Sequence, residues 1–354
     1  MALSPKKILL IQLRQIGDVL LTTPAAQVLK DNFPGAKLDL LTQAPCHEVL
    51  SGNPFVDETL VYSKANPLKW IREVRERKYD LVIDFMSNPR SALICFASGA
   101  PLKAGPAYTS SSWAYNLKLT KSPLDHPYNP FFKIDLLKAL GLKNIFYPYP
   151  KMYLSGQELL DGSNKLKELG ITKAGRLIGF APASRRLTRQ WPPEHYAELG
   201  RLITDHAQNK VIVFWGPGEK DLAAKITNEI GAGKAILAPE TKTLRKLASL
   251  IANIDLLVSN FNGPKHIATS LGISTLSIYG MCNPSHWTPP NDDKHRTIAN
   301  TDAECISCYK TKCPNKLICL TGLKAADVFT KLREMLIESG SRKTTELQTP
   351  GTIR

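Results

Sequence analysis

The chain reads as an α/β protein of two domains, each a doubly wound parallel sheet, and three observations carry that prediction. Its 354 residues exceed the range over which one core keeps growing, so two domains of about 150 to 200 residues each are expected. Apolar runs of strand length alternate with stretches of helical periodicity, the pattern of strand–helix–strand units with parallel pairing. The pattern lapses around Pro148-Tyr149-Pro150 and then starts afresh, so the second half repeats the architecture of the first.

In the first half, residues 7–13 form a β-type apolar run, 14–17 a tight turn and 18–30 a helix. Strands follow at 38–42, 58–62 and 79–85, with a helix at 67–77. In the second half, strands are expected at 176–181, 210–215, 235–237, 256–259 and 274–279. Helices at 193–206, 219–230, 244–251 and 264–271 lie between them. The domains are read as 1–165 and 166–338, and the polar segment 339–354, with its Gly, Ser, Thr and Pro, as a disordered tail.

Hydrophobic content of 43% and charged content of 22% are ordinary for a globular protein. No apolar run approaches the ~20 residues that a membrane-spanning helix needs. The run Ile8-Leu9-Leu10-Ile11 is too short for a signal-peptide core and lacks a small-residue cleavage site, so a cytoplasmic protein is expected. With 46 Lys+Arg against 31 Asp+Glu, the formal charge of +15 favours anionic partners: phosphates, nucleic acid or an acidic membrane surface. Solubility alone is the plainer account of the same charge. No basic-aromatic module accompanies it, which argues against nucleic acid.

Ligands of doubly wound sheets bind beyond the carboxyl ends of the strands, so the loops there are the ones to question. In Gln12-Leu13-Arg14-Gln15-Ile16-Gly17-Asp18, Gly17 permits a close turn, and Asp18 at the helix start could accept a proton from a substrate hydroxyl. A capping role needs no chemistry and explains the same residue. After the 176–181 strand come Ser184, Arg185, Arg186 and Arg189, a guanidinium cluster suited to a diphosphate, or a solvated basic loop ahead of a proline-started helix. Trp215-Gly216-Pro217-Gly218-Glu219 sets an acidic residue at a helix start, where it could hold a ribose hydroxyl or close the turn. In Ser259-Asn260-Phe261-Asn262-Gly263-Pro264-Lys265-His266, Gly263 and the helix start make a phosphate site, with His266 facing either the ligand or a neighbouring loop.

The dinucleotide G-x-G-x-x-G, the P-loop G-x-x-x-x-G-K-[ST] and the hydrolase G-x-S-x-G patterns are absent from these positions. Cys305, Cys308, Cys313 and Cys319 fall in a C-x2-C-x4-C-x5-C spacing. Four thiolates so close could enclose a tetrahedral structural zinc, and four reduced thiols are the alternative.

Together these loops carry a resemblance. Leu13-Arg-Gln-Ile-Gly-Asp-Val-Leu-Leu-Thr-Thr-Pro24 resembles the N-terminal signature of the lipopolysaccharide heptosyltransferases, glycosyltransferase family 9. Asn32-Phe-Pro-Gly35, residues 79–85, Arg189-Gln-Trp-Pro192 and residues 260–271 fall where that family has similar strings, and the resemblance runs from residue 7 to residue 335. The cysteine cluster is similar to one in heptosyltransferase II-like members.

The resemblance implies a GT-B fold, two Rossmann-like domains facing across a cleft, with acceptor mainly on the first and ADP-sugar mainly on the second. It implies metal-independent inversion by direct displacement, with Asp18 as base and Arg189 in place of the family's donor-phosphate lysine. Ser184, Glu219, Asn262, Gly263 and His266 fall where the family contacts the nucleotide and its phosphates. The expected reaction moves a heptose, or a related sugar, from an ADP-activated donor to the phosphorylated inner core of a lipid A acceptor, at the cytosolic face of the inner membrane. No cofactor is expected for catalysis.

One departure bears on the donor. The family has Asp-Ser-Gly or Asp-Thr-Gly before the last helix, and this chain has Phe261-Asn262-Gly263. The missing carboxylate leaves two alternatives open: a different nucleotide-sugar donor, or a non-catalytic GT-B protein that binds glycolipid or nucleotide.

Overall fold

The structure is a computed structural model that describes residues 3–171 and 174–346. The chain divides into two units, residues 1–158 with 242–248 and residues 159–241 with 249–354.

In the first unit six parallel strands, β1 Lys7–Ile11, β2 Lys37–Gln43, β3 Glu58–Tyr62, β4 Leu81–Asp84, β5 Leu102–Pro106 and β6 Leu117–Leu119, lie in the order β3-β2-β1-β4-β5-β6. β1 stays buried after its leading lysine because helices cover both faces of a parallel sheet. It pairs Ile8 with Leu38 on one side and Ile11 with Asp84 on the other. The connecting helices are α1 Ile16–Leu20, α2 Thr23–Asn32, α3 Pro67–Glu76, α4 Pro89–Ala97 and α5 Asn129–Leu137.

The single helix expected over 18–30 is two. Pro24 has no N–H to return to the preceding turn, and it sits instead in the first turn of α2, where that lack costs nothing. The hydroxyls of Thr22 and Thr23 take the carbonyls of Asp18 and Leu20, each at 2.8 Å. Strands β5 and β6 went unpredicted because Leu102-Lys-Ala-Gly-Pro106 and Leu117-Lys-Leu119 are short and offer no β-branched or aromatic run.

α6, Gly156–Glu168, spans the boundary between the units. The returning segment 242–248 is held in the first unit by Arg245, whose guanidinium donates to Glu158 Oε2 at 2.6 Å and to the Tyr153 carbonyl at 2.9 Å. That pairing holds the Glu158 carboxyl down at about 2.

The second unit has strands β7 Leu177–Ala181, β8 Lys210–Val213, β9 Ala235–Leu237, β10 Leu256–Asn260, β11 Ser274–Ile278 and β12 His295–Ile298, in the order β9-β8-β7-β10-β11-β12 read from the other edge. Its helices are α7 Pro193–Thr204, α8 Lys220–Ile230, α9 Leu244–Ile251, α10 Gly263–Ser270, α11 Ile318–Thr321 and α12 Ala325–Glu346, α9 beginning in the first unit. Trp191 anchors the core, its ring 4.9 Å from Tyr196 and its indole N–H donating to the Leu323 carbonyl at 3.1 Å. α7 meets α8 closely at Gly200, where a Cβ would stand 2.3 Å from Ile230 Cδ1. α12 is helical to Glu346, through the first part of the segment expected as a disordered tail, and 347–354 lie outside the described residues.

Numbered from its own first strand, each sheet has the order 3-2-1-4-5-6, which places a topological switch point between the first and fourth strands. Those points fall between β1 and β4 in one unit and between β7 and β10 in the other. They are where a ligand of either unit is expected.

Candidate active site

At the first switch point, the loop after β1 turns into α1 with Asp18 in the third helical position rather than at the cap. Its Oδ2 accepts the Gln15 backbone N–H at 3.1 Å in a capping box. The half-buried carboxylate is thus oriented by one bond, and its second oxygen takes no hydrogen bond among the described residues. Beneath it lies a residue that the pattern of the sequence did not single out. Lys133 of α5 donates its ammonium to Thr22 Oγ1 at 2.6 Å, to the Asp18 carbonyl at 3.1 Å and to Gln12 Oε1 at 3.2 Å. Burial pushes its pKa down to about 8, opposed by the charge of Asp18. Burial, with Asp18 adding to it, raises the nearby Cys46 thiol to about 11. A lone lysine inside the apolar run of α5, Asn129-Pro-Phe-Phe-Lys-Ile-Asp-Leu-Leu137, is the signal that could have found it.

Asp84, the last residue of β4, is the second omission. It is fully buried, and its Oδ1 accepts the Met86 and Ser87 amides at 3.0 and 2.9 Å while Oδ2 accepts the Tyr115 hydroxyl at 2.8 Å. Burial lifts its pKa to about 6 against those donors. Gly105 makes room for the ring that delivers the hydroxyl, since a Cβ there would stand 2.4 Å from Tyr115 Cε2.

At the second switch point, the loop after β7 and the start of α10 are joined by two asparagines. Asn260 accepts the Trp191 amide at 3.2 Å and donates to the Pro182 carbonyl. Asn262 caps α10 by accepting the Lys265 amide at 3.2 Å, and its Nδ2 donates to the carbonyls of Ala181 and Ala183 at 2.9 and 3.0 Å. The side chain of Asn262 is therefore spent on the fold. With the Lys265 amide capped and Pro264 lacking one, the amides of Asn262 and Gly263 are what this helix start can offer an anion.

Ser184 is tied into its own loop, its Oγ accepting the Arg186 amide at 3.4 Å and its amide donating to Gln190 Oε1 at 3.2 Å. Arg189 is half-buried, and its Nε is enclosed with no hydrogen-bond partner, a donor that the fold leaves unused. Glu219 turns back on its own loop, accepting the Gly216 amide at 2.8 Å. His266 is buried edge-on against Trp287 at 6.0 Å, and burial followed by the Lys265 charge keeps it neutral, well below the ordinary histidine range.

At the position where the resemblance leads one to expect a carboxylate, Phe261 is buried and meets Tyr279 at a right angle, 6.3 Å between rings. Lys265, fully buried, lies with its ammonium 4.9 Å from the Phe261 ring centre and donates to the Trp287 carbonyl. Burial pushes its pKa down to about 7. The ring that stands at this position and the buried cation are thus in direct contact.

The cysteine cluster corrects an expectation. Among the described residues no group of three or more His, Cys, Asp or Glu is disposed to hold a metal, so Cys305, Cys308, Cys313 and Cys319 do not build the zinc site that their spacing allows. Cys319 is packed into the core, its Sγ 2.9 Å from where a Cβ on Gly280 would be, whereas the other three lie half-buried in the preceding loop. Cys313 Sγ accepts the Leu317 amide at 3.4 Å. The thiols remain near enough that, after burial, the charges of Cys305, Cys313 and Cys308 raise the Cys319 pKa.

Two Rossmann-ordered units, each with its polar loops gathered at the switch point, make this a GT-B glycosyltransferase fold. The family model described as glycosyltransferase family 9 (heptosyltransferase) matches residues 68–319, and the chain belongs to that family. It is 26% identical over 310 residues to lipopolysaccharide heptosyltransferase 2 of Escherichia coli strain K12, covering 82% of this chain and 87% of that protein. Its fold matches the glycosyltransferase family 9 structure from Veillonella parvula with a TM-score of 0.81 at 23% identity, over 96% of this chain and 99% of that one. It matches the E. coli ADP-heptose lipopolysaccharide heptosyltransferase II structure with a TM-score of 0.77 at 23% identity, over 94% of this chain and 99% of the other.

Proposed function

We propose that this family 9 enzyme is an inverting transferase that moves a heptose, or a related sugar, from an ADP-activated donor to the inner core of lipopolysaccharide. Asp18 carries the reading: a half-buried carboxylate oriented by one backbone N–H, with its other oxygen open, at a switch point of a nucleotide-binding fold. The names of the relatives, which include an ADP-heptose transferase, support the donor and acceptor classes.

In this mechanism the open oxygen of Asp18 takes the proton of an acceptor hydroxyl as that oxygen attacks the anomeric carbon. The bond from that carbon to the diphosphate breaks on the opposite face, and ADP leaves with the electron pair. Arg189 neutralises the leaving diphosphate with a half-buried guanidinium whose Nε the fold leaves without a partner. Ser184 and the amides of Asn262 and Gly263 complete the phosphate contacts, with Glu219 and His266 bordering the nucleotide. No side chain in this scheme needs a metal. The charge of +15 favours the acidic cytosolic face of the membrane that bears the acceptor, and among the described residues no helix is long and apolar enough to cross it.

The test is transfer from ADP-heptose to a heptose-deficient lipid A-core acceptor, followed by ADP release and by the anomeric configuration of the product. Retention of configuration, or full activity in Asp18→Asn, overturns the mechanism. Phe261 favours a second reading, in which the protein binds nucleotide or glycolipid without turnover, because sugar hydroxyls lose an acceptor there. ADP release that depends on acceptor excludes it. A panel of nucleotide-sugars that raises the melting temperature selectively for one donor identifies the sugar.

A further inference from the structure

In the first unit Trp70, Tyr62, Tyr115 and Tyr128 are buried, whereas Phe96, Tyr108, Trp113 and Tyr149 are left partly in water, and of these Phe96 and Trp113 touch each other. Phe96 of α4 is 53% exposed and Trp113 is 57% exposed, and their rings pack 5.4 Å apart. Leu93, 46% exposed and one helical turn before Phe96, extends the same face of α4. An adjoining leucine, phenylalanine and tryptophan left in water mark a contact surface rather than scattered exposure.

Cations frame the three. Arg90 begins the same helix, its guanidinium carbon 5.9 Å from the Tyr62 ring centre. The stem of Arg75 lies against Gly99 just past the end of α4, and the Lys118 ammonium donates to the carbonyl of Ser112, the neighbour of Trp113. None of these three cations has an ion pair among the described residues. The nearby acids of α3 are occupied, Glu73 by Arg77 and Glu76 by Arg72. Asp18, the proposed acceptor-side base, belongs to the same unit.

We infer that Leu93, Phe96 and Trp113, framed by Arg75, Arg90 and Lys118, form a membrane-docking face that seats in the headgroup region of an anionic bilayer. Tryptophan and phenylalanine suit that depth, where one side is apolar and the other wet, and unpaired arginine and lysine complement anionic headgroups. Either signal alone gives weak, reversible attachment, and the two together give a stable one. A protein partner of matching shape would present its own carboxylates, but the net charge of +15 makes a continuous anionic surface the better complement. The inference deepens the reading of a lipid-borne acceptor by naming the face that reaches it.

The test uses the full chain and vesicles that contain no acceptor, so it does not depend on the proposed reaction. Vesicles of phosphatidylethanolamine with phosphatidylglycerol should sediment the protein, and phosphatidylcholine vesicles should do so far less. The Phe96→Ser/Trp113→Ser variant should lose at least about tenfold in partition to the anionic vesicles and keep its melting temperature, since both side chains are exposed. Arg90→Gln/Lys118→Gln should weaken binding most at low salt and least at high salt. Transfer to a water-soluble core fragment should be unchanged in both variants, while transfer to vesicle-borne acceptor falls. Undiminished vesicle binding by the aromatic variant overturns the inference. So does concentration-dependent self-association of the wild type that the same variant abolishes, which would assign the face to a second copy.

Discussion

The two switch points share a frame and differ in charge. In each unit the fourth strand of the sheet order ends in a polar residue followed by phenylalanine, Asp84-Phe85 in one and Asn260-Phe261 in the other. In each, a lysine ammonium lies over that phenylalanine, the half-buried Lys133 at 5.6 Å from Phe85 and the fully buried Lys265 at 4.9 Å from Phe261. The first unit surrounds its lysine with three oxygen acceptors and keeps two carboxylates nearby, Asp18 and Asp84. The second has neutral amides at the matching strand end and one carbonyl for its lysine. A frame that keeps carboxylates can take protons, and one that has shed them is left to bind anions. That division matches the proposed placement of acceptor chemistry in one unit and the nucleotide in the other.

The largest test of this contrast removes the charge that makes the first switch point basic. Asp18→Asn keeps an oxygen to accept the Gln15 amide, so the fold and melting temperature should hold while kcat falls about 10²- to 10⁴-fold. A loss of activity accompanied by unfolding would return Asp18 to a purely capping role. On the other side, Arg189→Ala should lower kcat/KM for transfer by on the order of 10²-fold, and Arg189→Lys should recover part of it, because charge rather than the planar fork is what a leaving diphosphate requires. Equal activity of all three proteins would remove Arg189 from the donor site.

The parts of this frame that were legible in the sequence are those with a local cause. Apolar runs of strand length, glycine turns and proline-started helices located β1 to β4, β7 to β11 and the loops that bear Asp18, Arg189 and Gly263. The strands β5, β6 and β12 are short or only half-buried, and so carry no run of apolar residues to find. Lys133 and Asp84 owe their positions to tertiary contacts 111 and 31 residues away in the chain, Thr22 and Tyr115, which no local pattern encodes. The break between α1 and α2 was written in Thr22-Thr23-Pro24, but helical periodicity continues across it and hides it. The cysteine spacing was plain, whereas the packing of Cys319 into the core uses the room that Gly280 leaves, a contact 39 residues away in the chain.

Replacing Lys133 with methionine keeps the volume and deletes the cation, and the three oxygens it served, including the Asp18 carbonyl, lose their donor. A loss of about 1 to 3 kcal/mol in unfolding free energy is expected from those stranded acceptors. Because the loop under Asp18 is released, kcat should also fall by on the order of 10- to 100-fold with KM little changed. Chemical denaturation and steady-state kinetics on one preparation read both effects. A stable but inactive protein would separate positioning of the loop from its stability.

The same substitution at Lys265 should do the least, and the contrast rests on that. This ammonium has one carbonyl acceptor and one ring, so removing it strands little and relieves a desolvated charge; stability near neutral pH should change by no more than about 1 kcal/mol, in the stabilising direction. Its folded pKa of about 7 lies below the ordinary lysine value of 10.5, so between those values the unfolded chain binds more protons than the folded one. Stability therefore rises with pH on this account across that window, the burial penalty being fully present below about pH 7 and relieved as the pH approaches 10.5. Lys133, with its pKa at about 8, contributes the same sign over a narrower window. Lys265→Met should flatten the rise from pH 7 upward, and urea midpoints at several pH values on wild type and variant measure it. An unchanged slope would mean that the ammonium beneath Phe261 is better solvated than its single carbonyl implies, and the difference between the two switch points would then rest on the carboxylates alone.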